Sequence, residues 1–265
     1  AGFFSPSFSF DGQINASMRV IEVPNFVLTL GKTSFNGDIT ADLAKHPSFS
    51  ARLSAPFLNI DNFFPTSKKD QNTKNKDLKP REKITEAKVK KQIEEVLSQP
   101  FNSHNITGSL ILSIDTFNYK GGLIRNFFMT ASLEKNLLKF NQFSFQFPGG
   151  SDLNLNGALS NFDTTPKFIG KVNLKTNNFQ QVQRWLNITK FETPKNRLRE
   201  MRLKSELIIS RDSVKFQNLL LNFDRSRVMG AVTIATKKRR SFSANLILDQ
   251  INIDTYNEKS KVLTS

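Results

Sequence analysis

Side chains able to do polar chemistry are few and scattered in this chain of 265 residues. The two histidines, His46 and His104, lie far apart among turn-forming residues. Neither has a partner at the spacing of a metal site or an acid–base dyad. There is no cysteine, which excludes disulfides, thiolate metal sites and cysteine nucleophiles together. Absent disulfides suit the cytosol and equally a periplasmic protein that relies on sheet packing. Asp61 and Asp254 occupy equivalent places in an internal repeat, where a carboxylate at an element end bonds nearby backbone N–H groups. Gly149-Gly150 follows a strand, yet neither a Gly-Lys-Ser/Thr nor a GxGxxG pattern surrounds it, so no phosphate loop is expected. The sequons at Asn15, Asn105 and Asn187 are what chance supplies in an Asn-rich chain. No catalytic residue, metal or cofactor is expected.

Apolar chemistry is the alternative, and here the chain is rich. It holds 25 Phe beside 1 Trp and 2 Tyr, which excludes wholesale disorder. The apolar residues recur in steps of two. Phe8, Phe10, Ile14, Ala16, Met18 and Val20 share one parity, with polar residues between them. Leu28 and Leu30 follow, then Phe35, Ile39 and Leu43, then Phe49 and Leu53. The central portion repeats the signal in Leu110, Leu112 and Ile114, and again in Phe127 and Met129. Its clearest hairpin joins Phe143, Phe145 and Phe147 through Pro148-Gly149-Gly150-Ser151 to Leu153, Leu155 and Leu159. Successive side chains of a strand point to opposite faces, so these segments have one apolar and one wet face. Period two over so much of the chain predicts antiparallel sheet. The residues from Leu28 to Leu159 named here are the candidate lining of an apolar groove.

Charge bears on partners. Lys and Arg total 38 against 23 Asp and Glu, a formal net charge of +15. Such an excess suits nucleic acid, an anionic membrane surface or an acidic amphiphile. Nucleic-acid modules interleave basic and aromatic residues along one face. Here the phenylalanines keep strand periodicity while the charges concentrate in connections: Ser67–Leu97, Lys195–Lys204 and Lys237-Lys238-Arg239-Arg240. Nucleic acid is therefore not the expected partner. No apolar stretch is long enough for a membrane-spanning helix, and no basic-then-apolar leader opens the sequence. The abrupt start at Ala1-Gly2-Phe3-Phe4 is consistent with a piece of something longer.

Two interruptions break the alternation. Ser67–Lys79 reads as a flexible loop leading through Pro80 into a charged helix over Arg81–Leu97, with Ile84, Val89, Ile93 and Val96 as its thin apolar stripe. The second, around Phe191–Lys204, reads as a loop or short helix. The chain also repeats. Gly37, Phe49 and Ile60 are spaced like Gly157, Phe168 and Phe179, and like Gly230, Phe242 and Ile253. Each unit reads as a strand ending near Gly, a turn, a strand starting near Phe, and a short terminator. A hairpin with one apolar face cannot bury it alone, so the units must stack or close around something apolar.

These motifs resemble the AsmA-like family (AsmA/TamB-type) of Gram-negative bacteria. The resemblance rests on Phe35-Asn36-Gly37 through Phe63-Phe64-Pro65, on Leu123-Ile124-Arg125-Asn126 through Asn156-Gly157, on Arg184-Trp185-Leu186, and on Leu248-Asp249-Gln250 through Thr255-Tyr256. It covers most of the chain apart from the charged insertion. It implies a protein anchored in the inner membrane and projecting into the periplasm, whose curved β-groove shields phospholipid acyl chains, much as the chorein-group bridge-like lipid transfer proteins of eukaryotes do. The family's N-terminal membrane helix has no counterpart in this sequence. The expected fold is all-β: a long, twisted antiparallel sheet of about 14 strands, curved into an apolar groove roughly 65 Å long, with one charged helical insertion. Residues 1–66 and 101–265 would form one continuous groove, interrupted by 67–100. The expected function is non-enzymatic transfer of phospholipid, with outer-membrane or periplasmic proteins as further partners. The rival expectation is an assembly protein whose apolar face covers an outer-membrane protein client or a partner sheet.

Overall fold

The computed structural model describes residues 8–60, 106–162, 164–188, 197–236 and 241–249. The charged loop and helix expected over 67–97, together with Asp61, His104, Asn105, Lys195, the basic run 237–240 and Asp254, lie outside the described residues. What is described is nearly all strand. In chain order the strands are β1 (Phe8–Asp11), β2 (Asn15–Ala16), β3 (Val20–Leu30), β4 (Thr33–Asp42), β5 (Ser48–Asn59), β6 (Thr107–Tyr119) and β7 (Gly122–Glu134). They continue as β8 (Leu137–Phe147), β9 (Ser151–Ser160), β10 (Lys167–Thr176), β11 (Met201–Ser210), β12 (Ser213–Phe223), β13 (Ser226–Ala235) and β14 (Ser241–Leu248). One short helix, α1 (Phe179–Leu186), lies between β10 and β11.

All 14 strands belong to one sheet, ordered as in the sequence from β3 to β14, with β1 and β2 both paired to β3. The sheet is open and does not close into a barrel. Tight turns account for this order, since two-residue connections such as Gly31-Lys32, Lys135-Asn136 and Arg211-Asp212 force consecutive strands to be neighbours.

Four expectations need correction. The sheet is not wholly antiparallel: β5 and β6 run parallel, with Ser48 opposite Thr107 and Asn59 opposite Asn118. A parallel neighbour needs a long return connection, and the charged insertion falls between these two strands. The alternation from Phe8 to Val20 is not one strand. It breaks after Asp11 and yields only the two-residue β2, leaving Ile14 and Met18 exposed. Gly37, Gly157 and Gly230 do not end strands; each lies inside one, in β4, β9 and β13. Finally, the stretch around Phe191–Lys204 is partly strand, because β11 begins at Met201.

The repeated glycines have a common steric reason. A Cβ at Gly37 would strike the Arg52 carbonyl oxygen, at Gly157 that of Ile169, and at Gly230 that of Asn245. In each case the obstructing residue precedes the glycine's own cross-strand partner. Only a residue without a side chain permits that approach of backbones.

Bulges interrupt several ladders. Those between Val23 and Phe26, Arg125 and Phe128, and Phe216 and Leu219 contain Asn25, Asn126 and Asn218, with φ of 51°, 53° and 50°. Asparagine tolerates this left-handed conformation better than most side chains. Each bulge inserts one residue and so reverses the parity of everything beyond it.

Candidate functional site

Registers place the apolar residues of successive strands directly opposite one another. One row runs Phe145, Leu153, Leu174, Leu203, Leu221, Val228 and Leu248, from β8 to β14. A second runs Ala41, Phe49, Gly108, Leu133, Leu138, Leu159, Phe168, Ile209, Val214, Ile234 and Phe242, from β4 to β14. Between them lie Leu53, Leu112, Met129, Phe143, Leu155 and Val172. At the first strands Phe10, Leu28 and Phe35 stand in line, Phe8 faces Leu30, and Ile39 faces Ala51, which faces Leu110. The apolar face is thus unbroken across the whole sheet.

Where a glycine would leave bare backbone, a ring fills in. The Phe49 ring lies over Gly108 on the next strand, and the Phe168 ring lies over the facing pair Gly157 and Gly170. Phe140 meets Phe168 edge-on at 6.2 Å. Ser205, the polar member of its row, is buried opposite the β12 bulge and donates its hydroxyl to the Gln217 carbonyl at 2.8 Å. No polar group on that residue is left to face the apolar surface.

The opposite face is polar over much of β8–β11, although Phe128 and, toward β14, Leu220, Met229 and Ile247 also stand on it. Ser144, Asn154, Asn173 and Lys204 follow one another in register, as do Gln146, Asp152, Lys175, Arg202, Asn222 and Arg227. Hollows of about 570 Å³ and 630 Å³ open on this side, the first beside Asp38, Arg52 and Thr130, the second beside Asn154, Lys171 and Lys204.

Helix α1 covers the apolar face at one margin, where the β6–β7 and β8–β9 turns lie. The sequence suggested only a terminator here. Asn178 caps the helix by accepting the Gln181 N–H, and Asn187 ends it at φ 54°. Phe179, Val182, Trp185 and Leu186 form its apolar side and pack with Ile114, Phe117, Ile124 and Phe147. Trp185 donates its indole N–H to the Tyr119 carbonyl at 2.9 Å. Beneath it, Ser151 donates to Thr176 at 2.7 Å, so the two most buried side chains satisfy each other.

Of the expected lining, all but one residue lies on this face. Leu43 is the exception: it falls beyond the end of β4 and is 54% exposed. Ile114 and Phe147 are on the face but closed off, only 5% and 8% exposed, because α1 packs against them. Sequence reasoning missed the lining contributed by β10–β14, and Leu138 and Phe140 before the bulge in β8. Their signal was present as short alternations, such as Leu207 and Ile209, cut off by the bulges.

His46 lies between β4 and β5, and among the described residues no group of three or more His, Asp or Glu is placed to hold a metal. No described helix is long and apolar enough to cross a membrane. No known protein family, curated protein or solved structure matches this chain.

Proposed function

We propose that this chain binds phospholipid acyl chains on its apolar sheet face and passes them along it without chemical change. The observation that carries the reading is the uninterrupted apolar register from β1 to β14 on a sheet that neither closes nor, outside α1, gains a covering layer among the described residues. Large apolar side chains such as Phe8, Phe49, Ile234 and Phe242 stay exposed on it. A contiguous apolar surface of this extent calls for an occupant. Acyl chains suit it, since each buried CH₂ gains about 0.8 kcal/mol and asks for no directed partner. A lining without hydrogen-bond donors or acceptors also lets a chain slide. In keeping with the AsmA-like resemblance, the setting would be the periplasm, with the whole protein anchored to the inner membrane and serving outer-membrane lipid supply.

Purification without detergent, solvent extraction and mass spectrometry test this. Co-purifying phospholipid is expected, with retention lost in Phe145→Asp and Leu155→Asp while the β-sheet circular dichroism persists. A soluble, lipid-free monomer would overturn the reading. The second reading, an assembly protein that receives a strand from a client or partner sheet, is favoured by one observation. All eight residues of β14 are exposed and none is charged, which among the described residues leaves a sheet edge open to strand addition.

A further inference from the structure

A feature on the polar side of the sheet is not used by the apolar reading. Two bulges converge there, one between Phe140 and Phe143 in β8 and one between Phe216 and Leu219 in β12, which also shifts the pairing with β11 between Lys204 and Glu206. Bulges bend a strand and re-aim its side chains. The hollow of about 630 Å³ opens between these two. Amides such as Asn154, Asn156 and Asn173, with Lys171 and Lys204, share its wall with Glu206 and with apolar residues such as Leu155 and Val172. Asn154 stands opposite Asn173, which stands opposite Lys204, while Asn156 stands opposite Lys171. Glu206 stands opposite Lys171 and also lines the hollow, whereas Lys204 has no acidic residue opposite it. The neighbouring row adds Lys175 directly opposite Arg202.

We infer that this hollow binds an acidic carbohydrate, a short glycan carrying carboxylate or phosphate groups. An amide side chain offers donors and an acceptor together, which matches a sugar hydroxyl. Lysine supplies the point charge for the acidic group. The volume lies within the range of roughly 300–1,000 Å³ usual for small-ligand sites. The one ring bordering it, Phe143, belongs to the apolar face, so nucleic-acid bases have no platform on which to stack.

Calorimetric titration of the whole chain with a galacturonate tetrasaccharide, maltotetraose and inorganic phosphate tests the site. The acidic tetrasaccharide is expected to bind at least about tenfold more tightly than maltotetraose or phosphate, and to weaken with salt. The double variant Lys171→Ala/Lys204→Ala should lose about tenfold, the loss of one to two charge-assisted hydrogen bonds. Asn154→Leu, which keeps both lysines, should weaken the tetrasaccharide and leave phosphate unchanged. Acyl-chain retention, measured on the same samples, should not change in any of these variants, because their side chains lie on the other face. Failure of the sugar site is thereby separable from failure of the lipid reading. The inference is overturned if the tetrasaccharide fails to bind at millimolar concentration, or if phosphate alone binds as tightly. It is equally overturned if single-stranded DNA or phosphatidylglycerol vesicles, rather than the tetrasaccharide, are what the lysine pair retains.

Discussion

The second and third repeat hairpins, β9–β10 and β13–β14, place glycine and phenylalanine 11 and 12 residues apart and differ in burial. In the second, Phe168 lies over two facing glycines, meets Phe140 and is only 9% exposed. In the third, Phe242 occupies the equivalent place and is 81% exposed. The difference is one of neighbours. β10 is paired on both sides, by β9 and β11, whereas among the described residues β14 is paired by β13 alone. A repeated pattern therefore sets which face is apolar, and the position of the repeat in the sheet sets how much of that face is dry.

The largest expected effect breaks this pair apart. Phe168→Ala should cost about 3 kcal/mol in urea unfolding, the usual range for emptying a buried aromatic site. Phe242→Ala should cost less than about 1 kcal/mol. Equal costs would show that β14 is covered in solution. Next, Gly122→Ala probes the margin under α1, where a Cβ would strike the Trp185 indole nitrogen and disturb its bond to Tyr119. About 2 kcal/mol of destabilisation is expected from overpacking, with a red shift of Trp185 fluorescence. An unshifted spectrum would mean that the helix is not seated there. Gly230→Ala sharpens the comparison at the other end. Its φ of 145° and the nearby Asn245 carbonyl oppose any side chain, at a cost of about 1–2 kcal/mol. Amide exchange should quicken across 242–248 while β6–β9 keeps its protection.

The smallest effect concerns the solvent-exposed pair of Arg19 and Asp42. Arg19 donates to both carboxylate oxygens, at 2.9 and 3.0 Å, and the Ala44 N–H donates to one of them. These hydrogen bonds, that of Arg19 foremost, hold the Asp42 carboxyl below its ordinary value. A depressed carboxyl contributes stability above its unfolded pKa and loses that contribution as pH falls through the folded one. Arg19→Gln should therefore move the Asp42 titration midpoint, followed by carboxyl-carbon NMR, back up toward the usual carboxylate range. A midpoint that stays put would assign the depression to the Ala44 N–H.

The β8–β9 hairpin was legible because Phe143 through Phe147, the Pro-Gly-Gly turn and Leu153 onward contain no bulge after Gln142. The register there agrees with alternation read directly. Leu43 misled because period two says nothing about where a strand ends: its N–H still bonds the Arg19 carbonyl, but β4 stops at Asp42, whose carboxylate accepts from the Ala44 N–H. The bulges at Asn25, Asn126 and Asn218 hid long strands as pairs of short ones, since an asparagine between apolar runs reads equally as a turn. The parallel pairing of β5 with β6 had no local signal either. Strand direction depends on the route of the intervening connection, which alternation does not encode.

One apolar and one polar face, many strands and a glycine wherever two backbones crowd together follow from the order of residues alone. Pleat geometry sends alternate side chains to opposite sides whatever the strand's neighbours are. Which rows line up, which phenylalanines α1 closes off and where the bulges gather the polar amides and lysines depend on register across strands distant in sequence. Those relations are set by long-range pairing, and no local period records them.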